Sequence, residues 1–127
     1  MTISMDIDEL TSKVINAAIE VHKSLGPGLL ESAYEECLCR EFDLREIKYE
    51  RQKDLPVQYK GITLNCGYRL DMIVEGKLIL ELKACAALEP IHEAQLLTYL
   101  KLAGFKIGLL IKFNVPVLRM GIRRIAN

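Results

Sequence analysis

Two apolar runs of alternating side chains, Tyr68 to Glu75 and Lys77 to Ala84, flank Gly76 and limit the fold of this chain more than any other feature. Period-two alternation on both sides of a glycine predicts a β-hairpin. One face would carry Tyr68, Leu70, Met72, Val74, Leu78, Leu80, Leu82 and Ala84, and the other Arg69, Asp71, Ile73, Glu75, Lys77, Ile79, Glu81 and Lys83. If the apolar sets share a face, even-numbered residues pair with even and odd with odd, which an odd-length loop of Glu75, Gly76 and Lys77 achieves. Asp71 then lies directly opposite Glu81.

Carboxylates facing each other on adjacent strands have Cβ atoms roughly 5 Å apart and repel unless a cation lies between them. A divalent metal is the obvious candidate. Mg²⁺ takes oxygen ligands at about 2.1 Å and usually one or two protein carboxylates, leaving room for water and substrate phosphate. Lys83, two residues beyond Glu81, projects from the same face and is placed to hold or deprotonate a water beside that metal. The competing reading is a half-solvated sheet face whose opposite charges neutralise one another. Three such residues in one register, among isoleucines, favour a site.

This D…ExK arrangement on a hairpin resembles the PD-(D/E)xK nuclease superfamily, in which the Asp and Glu ligate metal and the Lys serves the attacking water. Leu70 stands where the superfamily pattern has a proline, a departure that matters little if the position only packs. A second match is more specific. Residues 28 to 34 read GLLESAY, with Gly28, Glu31 and Tyr34 at the defining positions of the GxxExxY family, a branch of that superfamily. The likeness runs through AAIEVHKSLGPGLLESAYEE, CGYRLDMIVEGKLILELKA, PIHEAQLLTYLKL and NVPVLRMGI. It implies an α/β, restriction-endonuclease-like fold with an αβββαβ core: a mixed sheet flanked by helices, here with an extra N-terminal helix and a C-terminal strand.

With 127 residues, half of them hydrophobic, residues 1–127 have the size and apolar content of one domain with one core. The apolar stretches are shorter than the roughly 20 residues a membrane span needs, and the N-terminus lacks signal-peptide order, so cytoplasmic residence is expected. Cys37, Cys39, Cys66 and Cys85 show no zinc-ligand spacing; reduced, mostly buried thiols are expected. Net charge is zero, but residues 1 to 50 hold eleven acids against five bases and residues 51 to 127 hold six against twelve. Lys101, Lys106, Lys112, Arg119, Arg123 and Arg124 therefore make the C-terminal third cationic, either to contact phosphates or simply to solubilise a strand and tail. Overall neutrality argues against tight, sequence-independent DNA binding by one copy.

The periodicity predicts helices over Asp6 to Leu25 and Leu29 to Leu44, the latter burying Leu30, Ala33, Tyr34, Cys37 and Leu38. Strands are predicted at Ile47 to Lys53, Val57 to Lys60 and Ile62 to Cys66, the last two near a sheet edge. Pro90 opens a helix that Gly104 closes, and Lys106 to Phe113 reads as a buried strand. With Gly28 as N-cap, Glu31 falls at the third helical position, where a carboxylate bonds back to the cap and meets the helix dipole. The resemblance adds a role at the active site, with Glu31 reaching the metal directly or through water. Tyr34 is a core aromatic whose hydroxyl finds a partner. On the helix after the hairpin, His92, Gln95 and Tyr99 share a stripe, with Ile91, Leu97 and Leu100 toward the packing side. Gln95 and Tyr99 match the QxxxY element found beside the metal in some superfamily branches.

These readings combine into an expected Mg²⁺- or Mn²⁺-dependent phosphodiesterase acting on DNA. Asp71, Glu81 and the Leu82 carbonyl would hold the metal, with Glu31 nearby; Lys83 would serve the water, and Gln95 and Tyr99 would orient ligands and substrate. Serine, cysteine and P-loop chemistries have no supporting motif. A different class, a nucleic-acid or protein interaction module that keeps the fold without turnover, is opposed by the intact Asp71, Glu81 and Lys83. A homodimer is expected from the exposed edge of the short strands and the narrow footprint of so small a domain.

Overall fold

A computed structural model describes residues 5–85 and 87–127. The elements run α1 (Ile7–Leu25), α2 (Glu31–Leu44), β1 (Tyr49–Asp54), β2 (Val57–Tyr59), β3 (Ile62–Leu64), β4 (Arg69–Val74), β5 (Leu78–Lys83), α3 (Pro90–Ala103), β6 (Ile107–Lys112), a 3₁₀ turn at Leu118–Gly121, and β7 (Ile122–Ala126). The main sheet has the order β1-β4-β5-β6-β7. Its neighbours are antiparallel except β5 and β6, which α3 joins as a parallel crossover. This is the mixed α/β architecture expected from the sequence.

Helix α1 starts where Asp6 accepts a hydrogen bond from the Asp8 N–H and ends at Gly26, whose N–H donates to the His22 carbonyl. Its buried stripe of Leu10, Val14, Ala17 and Val21 follows the helical period. Gly28 has φ of +94°, a left-handed backbone that favours glycine. The corner is locked from behind: the Tyr34 hydroxyl donates to the Gly26 carbonyl at 2.7 Å and accepts from the Leu29 N–H at 3.1 Å. The Tyr34 ring is fully buried and stacks on Phe113 with centroids 4.3 Å apart. Tyr34→Phe keeps that stacking but leaves both backbone groups without their partner, so a loss of about 1–3 kcal/mol in urea unfolding is expected. An unchanged midpoint would show that the corner holds without the hydroxyl.

Helix α2 begins later than the pattern predicts. Leu30, not Gly28, is its N-cap, and Glu31 is the first helical residue without a side-chain cap bond. Leu30 is accordingly 76% exposed rather than packed, while Tyr34, Leu38 and Phe42 supply the buried stripe. Helices α1 and α2 cover one sheet face, in a cluster with Met72, Val74, Leu78, Leu80, Leu82, Leu109, Ile111 and Phe113. The other face packs Leu55, Leu70, Ile73, Ile79 and Leu110 against Leu96 and Leu100 of α3. Gly108 lets α3 approach: a Cβ there would lie 3.1 Å from the Leu96 methyls. Leu96 therefore takes the packing role expected of Ile91, which is 64% exposed.

The short strands β2 and β3 pair only with each other, in a separate two-stranded sheet. The main sheet ends instead at β1 and β7, both carrying exposed charged residues that discourage strand addition. The edge invoked for a homodimer thus lies outside the main sheet. The four cysteines are free, but Cys66 is exposed and only Cys39 is buried. No helix among the described residues is long and apolar enough to cross a membrane.

Candidate active site

Strands β4 and β5 pair as Met72–Leu80, Ile73–Ile79 and Val74–Leu78, the register expected from the odd-length loop. Continued by one step, it sets Asp71 against Glu81. At that step side chains take over from the backbone ladder. The Leu82 N–H donates to Asp71 Oδ2 at 2.8 Å, and the Asp71 N–H donates to Glu81 Oε1 at 3.2 Å. On the other flank, β1 pairs with β4 at Arg51–Met72 and Lys53–Leu70 but skips the step between them, where Gln52 has φ of +48°. Asp71 therefore sits where the backbone ladder is interrupted on both sides, and side-chain oxygens of Asp71 and Glu81 take the place of the carbonyls between β4 and β5.

The break also switches the alternation. Leu70 and Tyr68 were expected on the face of Met72. Leu70 is buried instead in the α3 cluster, and the Tyr68 ring lies 6.4 Å from that of Tyr99 on α3. Regular period-two facing holds only while the pleat is unbroken.

Burial dominates the electrostatics of the pair. Glu81 is only 6% exposed, and burial followed by the neighbouring Asp71 charge pushes its carboxyl up to about 8. The Asp71 carboxyl is also raised, first by burial and then by Glu35 and Glu31 on α2, against the lowering effect of the Leu82 N–H. Lys83, half-buried at the end of β5, favours the ionised form of both carboxyls. Two desolvated carboxylates this close disfavour each other's ionisation. Their oxygens suit a hard cation, which would relieve both repulsion and desolvation. Among the described residues, no three His, Cys, Asp or Glu side chains are gathered closely enough to hold an ion. Glu31 thus lies within electrostatic reach of Asp71 without joining a three-carboxylate cluster.

On the α3 side, Tyr99 packs against the cluster containing Leu70 and Ile79, and its hydroxyl is pushed up by burial, then by Glu81, Tyr68 and Asp71. Gln95, one turn earlier, is exposed and lines a groove with Tyr99. His92 does local work: its Nδ1 accepts from the Glu89 N–H at 3.0 Å and caps the helix.

Sequence reasoning missed a support behind the pair. Arg51 on β1 donates to Glu35 Oε2 at 3.1 and 2.7 Å and to Glu36 at 2.7 Å, and the Gln52 amide donates to Glu35 Oε1 at 2.8 Å. Glu35 is buried, so this link ties α2 to the distorted part of β1 facing Asp71. Its one sequence signal was the spacing of Glu31 and Glu35, which puts both acids on one helix stripe.

The cationic C-terminal third is partly neutralised at home. Arg124 pairs with Asp8 at 2.8 Å and Arg123 approaches Glu93 at 4.0 Å, while Arg119 is exposed.

Residues 8–125 match a family described as the PD-(D/E)XK nuclease superfamily. The chain belongs to that superfamily. No curated protein and no solved structure matches it. PD-(D/E)XK proteins are generally nucleases and typically use divalent metals. Asp71, Glu81 and Lys83 lie within the matched residues.

Proposed function

We propose that this protein is a metal-dependent nuclease that hydrolyses phosphodiester bonds in DNA. The observation that carries the reading is the meeting of the buried Glu81 with the half-buried Asp71 where the β4–β5 ladder stops, with a lysine two residues further along β5. Asp71 and Glu81 would hold Mg²⁺ or Mn²⁺, with the Leu82 carbonyl as a third ligand; the Leu82 N–H is already fixed by Asp71. When bound, such an ion polarises a phosphoryl oxygen and lowers the pKa of a bound water.

Within this reading Lys83 Nζ positions the attacking water or takes its proton, and its charge favours the ionised form of the carboxylates against burial and their mutual repulsion. Tyr99 and Gln95 orient the substrate from α3, and Glu31 acts on the pair through water. We further assign the chain to the GxxExxY branch. The reading is supported by a physical role for each signature residue: Gly28 allows the left-handed corner, Tyr34 locks it, and α2 then starts with Glu31, whose charge is felt at Asp71.

The test is cleavage of DNA and RNA polynucleotides, with and without Mg²⁺ or Mn²⁺, by wild type and Asp71→Asn. Ion-dependent cleavage by the wild type alone is expected. Full activity in the presence of chelator, or in Asp71→Asn, would remove the metal-site reading. Binding without cleavage under every condition would favour a non-catalytic interaction module.

A further inference from the structure

Beside the carboxylate pair, on the α3 side of the sheet, lies a groove of about 460 Å³ that includes Tyr68, Tyr99, Ile91, Leu102, Gln95 and Thr98. None of its lining residues carries a charge. Its volume falls within the range of small-ligand clefts. The Tyr68 and Tyr99 rings stand 6.4 Å apart at 52°, and Tyr68 and Ile91 turn large apolar surfaces outward, 47% and 64% exposed. Unpartnered apolar surface of this kind marks a binding face.

The groove is continuous with the candidate site through Tyr99. That ring packs against the cluster containing Leu70 and Ile79, close along their strands to Asp71 and Glu81, and its hydroxyl lies within electrostatic reach of both carboxylates. Tyr99 thus joins the groove to the strands that carry the pair.

The chemistry of the lining decides which part of that polymer fits. Phosphates need cations or backbone N–H donors, and a groove lined by uncharged side chains supplies no counter-charge. A duplex buries its base faces by stacking and its base edges by pairing. Unpaired bases offer flat π-faces for aromatic rings and polar edges for an amide. Gln95 presents both donor and acceptor atoms, and the Thr98 hydroxyl, donating to the Ala94 carbonyl at 3.0 Å, retains acceptor capacity. We infer that this groove receives the unpaired bases of a single-stranded nucleic acid, stacked on Tyr68 and Tyr99, and that single-stranded segments are the substrate class. The inference rests on the nuclease reading of the adjacent pair.

Fluorescence anisotropy in chelator, where no cleavage occurs, tests the groove apart from the chemistry. The probes are a labelled deoxythymidine oligomer of roughly 12 nucleotides and a duplex of the same length, within the usual footprint of such sites. Wild type is expected to prefer the single strand, and Tyr68→Ala and Ile91→Glu to weaken it about tenfold while leaving duplex affinity and thermal midpoint unchanged. Equal binding of both probes, or undiminished single-strand affinity in both variants, overturns the inference even if metal-dependent cleavage is found. Single-strand preference lost in both variants, without cleavage in any divalent ion, supports the groove and sinks the nuclease reading. Self-association that Ile91→Glu abolishes, with neither probe bound, would show the groove to be a contact between copies and overturn the inference.

Discussion

Lys83→Ala is expected to keep divalent-ion binding and to lose cleavage by a factor on the order of 10² to 10⁴, the usual contribution of a positioned acid or base. Asp71→Asn should instead weaken the ion itself. The two effects separate because of where the groups stand. Asp71 and Glu81 are tied across β4 and β5 by hydrogen bonds, whereas Lys83 is half-buried at the end of β5 and acts on both carboxylates through space. Removing Lys83 also removes a charge that favours the ionised pair, so ion binding should be compared as a function of pH, to separate lost affinity from added protonation. Calorimetric Mn²⁺ titration and cleavage kinetics on the same preparations decide the matter. Undiminished turnover in Lys83→Ala would reduce the lysine to a solvated charge and remove the mechanism, whatever the fold.

Glu81→Gln should abolish cleavage and yet stabilise the ion-free protein at alkaline pH. In the folded protein burial and the Asp71 charge push the Glu81 carboxyl up to about 8 from the 4.5 of the free group. Below about pH 4.5 folded and unfolded chains both hold the proton, and the site imposes no penalty. Between 4.5 and 8 the folded chain keeps a proton that the unfolded chain has released, so stability falls as pH rises. Above 8 the full penalty applies, at most about 5 kcal/mol. A neutral amide can still accept the Asp71 N–H but carries neither the desolvated charge nor the repulsion. Urea unfolding in chelator is therefore expected to show Glu81→Gln more stable than wild type by a few kcal/mol at pH 8.5 and equal to it near pH 4. Saturating Mn²⁺ should narrow the gap by stabilising only the wild type. A variant less stable than wild type at pH 8.5 would show that the carboxylate is satisfied within the folded protein, and the strain attributed to the site would vanish.

Such strain suits a site whose binding energy for a cation is stored as repulsion in the empty state. It also gives the Arg51–Glu35–Gln52 link a purpose. Asp71 lies where neither neighbouring strand continues the ladder, and an unsupported break could relax by moving the two carboxylates apart. Tying α2 to β1 opposite Asp71 opposes that relaxation.

The hairpin, its register and the placing of Asp71 across from Glu81 were legible in residues 68 to 84, because period-two alternation and an odd loop are local constraints that packing has no reason to override. Helix α3 between Pro90 and Gly104 was likewise legible from its two end signals, and the order of the main elements followed from the same local patterns. Other features depended on contacts across long sequence separations. Leu70 changed faces because the pleat breaks at Asp71, and nothing in residues 68 to 84 records the φ of +48° at Gln52 that accompanies the break. Helix α2 started at Glu31 rather than two residues earlier because Tyr34 fixes the Gly26 and Leu29 backbone of the preceding corner. Glu35 became a buried anchor only because Arg51 and Gln52 arrive from β1, and Leu96 displaced Ile91 from the packing face because Gly108 on β6 leaves room for it. Alternation and end signals are properties of neighbours in the chain, but the burial of a charge and the opening of a ladder are decided by what the rest of the molecule places beside them.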